Sequence, residues 1–272
     1  MKERIAIIDG IRTPMAPAGK TLKDIQADDL GAFAVRELLA RTGIDYGQID
    51  ELIMGNVAQP THAANIARVI SLKAGLPRRV PAYTVHRNCA SGMESITDAA
   101  ARILSGEGNV YVAGGTESMS NIPFLVRDRL KDFFIRLKKA KTLPQKIGTF
   151  FSFPFSSSSP EIGIIQGLTD PVSGLIMGDT AEVLAREFHI TRKEQDEFAL
   201  QSHQRAVSAM KEGKLAEEII PIPLPPDYDV IVRDDQGPRE NLSMESLGKL
   251  KPYFDRRNGT VTVGNSCPTT DG

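Results

Sequence analysis

Cys89 is the residue best placed for covalent chemistry. It lies in Val85-His86-Arg87-Asn88-Cys89-Ala90-Ser91-Gly92-Met93-Glu94-Ser95, where a β-type run gives way to a helix-type run. A thiol at a helix N-terminus feels the positive end of the macrodipole and unpaired backbone N–H groups, and both favour thiolate over thiol. Ala90, Ser91 and Gly92 are small enough for a substrate carbonyl to approach, and their backbone amides are placed to hold an oxyanion formed by attack. A buried structural cysteine is the ordinary alternative, since free Cys is among the most buried residue types. Strand end, small-residue turn and helix start together favour the nucleophile.

The elements around Cys89 follow from spacing. Val80, Ala82, Tyr83 and Val85, with Pro81, read as a short buried strand, and Met93, Ile96, Ala100, Ile103 and Leu104 recur at helical intervals. Ser91-Gly92-Met93-Glu94 fits the capping-box pattern and Gly106 is a stop signal, so the helix begins one or two residues after Cys89. An apolar strand then runs from Asn109 to a double-glycine turn, Gly114-Gly115, and continues as Thr116-Glu117-Ser118-Met119-Ser120. Upstream, strands over 4–9 and 51–57 alternate with helices over 27–41 and 64–74. Such alternation implies a mainly parallel sheet covered by helices on both faces. Ligands of such sheets bind at the carboxyl ends of strands, where Cys89 and Gly114-Gly115 both fall.

Residues 118–250 break the alternation and read as a large insertion, with helices over 180–188 and 192–213 and an irregular Pro- and Asp-rich stretch over 219–241. Residues 259–265 return to β-type alternation, as a final strand of the core sheet. Within 124–160, Leu130, Phe133, Phe134 and Leu137 form an apolar stripe amid Arg127, Arg129, Lys131, Arg136, Lys138, Lys139 and Lys141. A basic amphipathic helix of this kind docks on a membrane surface or a partner, or packs its stripe on its own domain. Phe150-Phe151-Ser152-Phe153-Pro154-Phe155 and the serines 156–159 read as a sticky loop.

A length of 272 residues is enough for a substantial core, and a net charge of −1 argues against nucleic acid as partner. No apolar run reaches the ~18 residues of a membrane-spanning helix. Met1-Lys2-Glu3-Arg4 leads straight into the apolar run Ile5-Ala6-Ile7-Ile8, leaving no room for a signal peptide. The two cysteines, Cys89 and Cys267, make a disulfide framework unexpected and a reducing, cytoplasmic setting the expectation. No metal-ligand spacing is visible.

The Cys89 and Gly114–Ser120 stretches resemble the thiolase family. Further matches are Arg12-Thr13-Pro14, Met177-Gly178-Asp179-Thr180-Ala181-Glu182, Glu194-Gln195-Asp196-Glu197-Phe198-Ala199, Ser202-His203-Gln204-Arg205-Ala206 and Gly259-Thr260-Val261-Thr262-Val263-Gly264-Asn265, in the family's order along essentially the whole chain. The resemblance implies a thiolase-like α/β fold: a mainly parallel mixed sheet covered by helices. Its N-terminal core is 1–117 plus 251–272, and 118–250 is a loop domain for coenzyme A binding and partner contact. It implies an acyltransferase that cleaves 3-ketoacyl-CoA to acetyl-CoA and a shortened acyl-CoA through an acyl thioester on Cys89, in fatty-acid β-oxidation. Coenzyme A is then a substrate, and no metal or other cofactor is expected.

By the same resemblance, Arg239, Ser246 and Leu250 match positions holding the nucleotide end of coenzyme A, and Leu168 and Met177 match the wall of the pantetheine tunnel. Arg239 has a physical rationale too, since guanidinium suits phosphate and stacks on adenine. Cys267 falls where the family commonly has a small hydroxyl residue near pantetheine. Ile176 falls where short-chain biosynthetic members often have His, a departure from that subgroup. The basic segment 124–160 resembles the thiolase subunit of β-oxidation complexes, which implies contact with a partner subunit or a membrane surface. Family dimers pair an edge strand of the core sheet, and 109–115 matches that region, so at least a homodimer is expected.

Three family motifs do not occur in the chain: a Gly-His-Pro base, a Gly-rich motif with a second Cys, and an Asn-Glu-Ala-Phe-type oxyanion site. His62, His86, His189 and His203 match none of these roles. Strand alternation points His86 away from Cys89, as a structural residue, and His203 reads as a packing or capping residue. The chain therefore reads as the N-terminal half of a thiolase, inactive alone. The alternatives are an acetoacetyl-CoA-forming biosynthetic thiolase, a β-ketoacyl synthase-like condensing enzyme and a non-catalytic half-thiolase scaffold.

Overall fold

Leu52, Met54 and Val112 join one apolar cluster with two helices, while Tyr83 reaches a third helix through Asp98 and Arg102. Alternation along neighbouring strands thus puts helices on both faces of one sheet. The computed structural model describes residues 4–154 and 161–272. They fall into two compact units, Met1–Asn121 with Ala181–Gly272, and Ile122–Thr180.

The first unit opens with β1 (Ala16–Pro17) and α1 (Ala27–Thr42), whose first turn carries Asp28 and Asp29, the sign the helix dipole favours. Gly43 ends α1 in the left-handed region at φ 65, where glycine has no Cβ to clash. Next come β2 (Glu51–Gly55), α2 (Ile66–Lys73) capped by Asn65, β3 (Ala82–Val85), α3 (Ser91–Leu104) and β4 (Tyr111–Gly115). The three longer strands form a parallel sheet in the order β3-β2-β4, with Leu52 opposite Ala82 and Val112, and Ile53 opposite Tyr83 and Ala113. Ile66, Ile70, Leu39 and Val35 fill the α1–α2 side. At the far end of α3, Gly106 takes φ 77 and its amide bonds the Ile103 carbonyl at 3.1 Å, as expected of a stop signal.

The second unit holds β5 (Phe124–Leu125), α4 (Asp128–Lys139), α5 (Leu143–Phe151), β6 (Glu161–Ile162) antiparallel to β5, and α6 (Gly163–Leu168). Phe150 and Phe151 are therefore helical, not loop, because Thr142 and Gln145 form a capping box that starts a helix just ahead of them. Phe155 and the serines 156–159 lie outside the described residues. The expected stripe on α4 divides: Leu130 and Phe133 are buried, Leu137 is half-buried and Phe134 is exposed.

α7 (Met177–Glu187) leads back into the first unit, followed by α8 (Arg192–Lys211), a hairpin of β7 (Ile222–Pro223) with β8 (Ile231–Val232), α9 (Met244–Gly248), and β9 (Thr270–Asp271) paired with β1. Apart from that short hairpin, 219–241 is irregular, as its Pro and Asp content predicts.

Two expected strands do not form. Residues 4–9 are unpaired, with Ile7 and Ile8 exposed, and backbone pairing begins only where Arg12 meets Ile219. Residues 259–265 are not strand either. The buried Glu182 carboxylate takes the amides of Thr260 and Val261 at 3.0 and 2.9 Å, and Asn265 Oδ1 takes that of Thr262 at 2.7 Å. Donors committed to side chains cannot join a ladder.

Candidate active site

Cys89 is exposed, four residues beyond the end of β3 and two before the start of α3. The turn between them is held by its own atoms. The amides of Ala90 and Ser91 donate to the carbonyls of Arg87 and Asn88 at 3.1 and 3.0 Å, and Asn88 sits at φ 47, a region asparagine tolerates. Ser91 Oγ accepts from the Arg87 amide at 2.9 Å and donates to the Asn88 carbonyl at 2.6 Å. The expected capping box is therefore absent. Ala90 is the N-cap with no side-chain bond, and Glu94 ion-pairs with Arg87 instead. Ser91 was drawn into the turn because its hydroxyl satisfies two backbone groups there. The amides of Ala90 and Ser91, expected as oxyanion donors, are likewise committed within the turn.

Glycines set how close the strands come to this helix start. A Cβ on Gly55 would lie 2.3 Å from the Ser91 carbonyl carbon, and one on Gly115 would lie 3.2 Å from Gly92 Cα. Ser95, fully buried, places its hydroxyl 2.7 Å from both the Gly92 and the Gly114 carbonyl oxygens. The carboxyl ends of β2 and β4 thus press directly against the first turn of α3.

Behind the turn lies a polar cluster that sequence reasoning quoted in part but gave no role. Asn56 takes the Val85 carbonyl with its amide at 3.2 Å, and its Nδ2 donates to Thr116 O at 2.9 Å and Glu117 Oε1 at 3.0 Å. Glu117 also accepts the amides of Val57 and Ala58 at 2.9 and 3.2 Å. Burial pushes the Glu117 carboxyl above the usual carboxylate range, and those amides, Asn56 and the charge of His86 oppose the shift without cancelling it. The following residues continue the anchoring. Thr116 Oγ1 donates to Ala27 O at 2.7 Å, Ser118 Oγ to Ile25 O at 3.0 Å, and Ser120 N to the buried Asp271 at 2.8 Å. No local pattern announces such bonds, because each joins residues tens of positions apart.

β3 ends at Val85, one residue before His86, and the exposed imidazole accepts the Asn88 amide on Nδ1 at 3.3 Å. His203 takes the Arg239 amide on Nδ1 at 3.0 Å.

The coenzyme A candidates are placed as follows. In the first unit, Arg239 is exposed beside His203, while Ser246 and Leu250 sit on and just after α9. The Leu250 side chain packs where a Cβ on Gly264 would meet it at 2.4 Å, and Cys267, exposed, follows three residues later. The Asp196 carboxylate, paired with Arg192, accepts Asn265 Nδ2 at 2.9 Å and steadies this turn. In the second unit, Leu168 ends α6 half-buried, and Met177 opens α7 half-exposed. Among the described residues, no group of three or more His, Cys, Asp or Glu is arranged to hold a metal ion.

The chain is similar to known proteins over nearly its whole length. Residues 5–272 match the model of the thiolase N-terminal domain. A 3-ketoacyl-CoA thiolase of Serratia proteamaculans is 41% identical over 270 residues, 99% of this chain and 61% of that protein. One of Pseudoalteromonas translucida is 38% identical over the same shares. The crystal structure of the Bacillus anthracis acetyl-CoA acetyltransferase superposes with a TM-score of 0.85 at 33% identity, covering 97% of this chain and 62% of that one. The chain thus spans about three fifths of the length of the relatives it matches. With a cysteine turn between a parallel strand and a helix, and a fold shared over nearly its whole length, the chain belongs to the thiolase family, to whose N-terminal domain it corresponds.

Proposed function

We propose that the chain supplies the nucleophile half of a degradative 3-ketoacyl-CoA thiolase acting in fatty-acid β-oxidation. The observation that carries this reading is Cys89, exposed at the carboxyl end of a parallel strand and at the start of α3. The Cys89 thiolate attacks the keto carbon of a 3-ketoacyl-CoA. The tetrahedral oxyanion collapses with Cα–Cβ cleavage, leaving a shortened acyl group on sulfur and acetyl-CoA as its enolate. A proton then quenches the enolate, and a second coenzyme A takes the acyl group in a ping-pong cycle. With the Ala90 and Ser91 amides occupied, the oxyanion donors left in this turn are the amide of Cys89 itself and that of Gly92. The chain carries no Gly-His-Pro base, so in this reading the acid–base groups belong to the part of the relatives' length that it does not span.

The coenzyme A contacts are those matched by family position: Arg239, Ser246, Leu250, Cys267, Leu168 and Met177. The assembly is a homodimer or larger in a cytoplasmic setting, with segment 124–160 meeting a partner subunit or membrane. No helix among the described residues is long and apolar enough to cross a membrane. The acetoacetyl-CoA-forming alternative finds support in the likeness to an acetyl-CoA acetyltransferase, and Ile176 weighs against it.

The test is chemical. Incubation of the full-length protein with an acyl-CoA, followed by peptide mass analysis, should place the adduct on Cys89. Retained turnover in Cys89→Ser, with the label elsewhere, would overturn the assignment.

A further inference from the structure

The amide of Asn88, one residue before Cys89, donates to His86 Nδ1 at 3.3 Å. That bond exists only while Nδ1 carries no proton, because protonation turns the acceptor into a donor. Asn88 is held at φ 47 inside the turn, so the bond braces a backbone conformation that L-residues adopt rarely.

The charged groups around the imidazole come from two other elements and from the turn itself. Glu117, on the segment after β4, interacts with His86 through its charge, and Arg87 is engaged by Glu94 of α3.

We propose that His86 is a positioning residue that braces the Cys89 turn through the Asn88 amide, and that loss of this acceptor loosens the turn and slows attack by Cys89. The proposal rests on Cys89 as nucleophile, yet the brace is measurable without acyl transfer.

The experiment compares the 272-residue chain with its His86 variants at one fixed pH, following the Asn88 amide by 15N NMR. In parallel, alkylation of Cys89 by iodoacetamide is read by peptide mass, with Cys267 as internal reference. His86→Ala should shift the Asn88 signal and lower the Cys89-to-Cys267 rate ratio about two- to tenfold, the size of effect one hydrogen bond supplies. His86→Gln keeps an acceptor, so its ratio should stay near that of the wild type. An Asn88 amide indifferent to the loss of His86, or a His86→Ala ratio equal to wild type, overturns the brace. A brace that behaves as described in a protein whose Cys89 takes no acyl group leaves this inference standing and sinks the thiolase mechanism instead.

Discussion

Ser95 Oγ lies 2.7 Å from the Gly114 carbonyl oxygen and donates to it, fastening the first turn of α3 to the end of β4. The helix that presents Cys89 is therefore tied to the sheet by a side chain, not by backbone pairing. Ser95→Ala removes that donor from a fully buried position. Stability should drop by about 0.5–1.5 kcal/mol, measured as a shift of the urea midpoint. A variant as stable as the parent would show that the bond is incidental.

Asp28 and Lys73 tie α1 to α2. The Asp28 side chain is fully buried, with Lys73 Nζ at 2.6 Å and His62 Nε2 at 3.1 Å. Burial pushes its carboxyl up, but the hydrogen bonds from Lys73 and His62 outweigh burial and hold it below the usual value. A carboxyl lowered in the folded state contributes stability above its unfolded pKa, about 3.9, and loses it as pH falls through the lower folded value. Lys73→Met should cost about 1.5–3 kcal/mol near neutral pH. It should also move the onset of acid destabilisation to higher pH. Urea titrations at a series of pH values test this, and parallel wild-type and variant curves would refute it.

Within the second unit, Phe133 and Phe134 separate core from surface. Phe133 is 3% exposed and meets Phe134 and Phe153 edge-on at 5.4 and 5.1 Å, whereas Phe134 is 52% exposed. Phe133→Ser should therefore destabilise the unit by about 3–5 kcal/mol, as aromatic truncation in cores does. Phe134→Ser should alter stability by less than about 1 kcal/mol. If this face docks on a membrane, Phe134→Ser should also weaken sedimentation with anionic vesicles. Undiminished binding by the folded variant would move the docking role elsewhere.

Turnover by these 272 residues alone should be negligible. Positioned general acid–base catalysis supplies about 10²–10⁴-fold, and the chain carries no Gly-His-Pro base. A spectrophotometric assay of 3-ketoacyl-CoA cleavage decides the matter: rates near those of a complete thiolase would mean that a base within this chain has gone unrecognised.

By itself, the sequence determined what depends on neighbours along the chain. Helical spacing after Cys89, the stop at Gly106 and the small residues of the turn located α3 and its thiol, because helix hydrogen bonds and turn geometry close within a few residues. What depends on a distant partner was decided by the tertiary structure. Residues 4–9 and 259–265 alternate like strands, yet alternation shows only that a segment has two faces, and a strand exists only when another strand takes its backbone donors. In this chain Glu182 and Asn265 take donors of the second segment, and nothing among the described residues pairs the first. Glu117 stood in a recognised motif, but its contact with Asn56, 61 positions away, came from the meeting of the ends of β2 and β4. Hydrogen bonds between residues far apart leave no periodic trace in the chain, and so only the folded sheet could show that Asn56 and Glu117 meet.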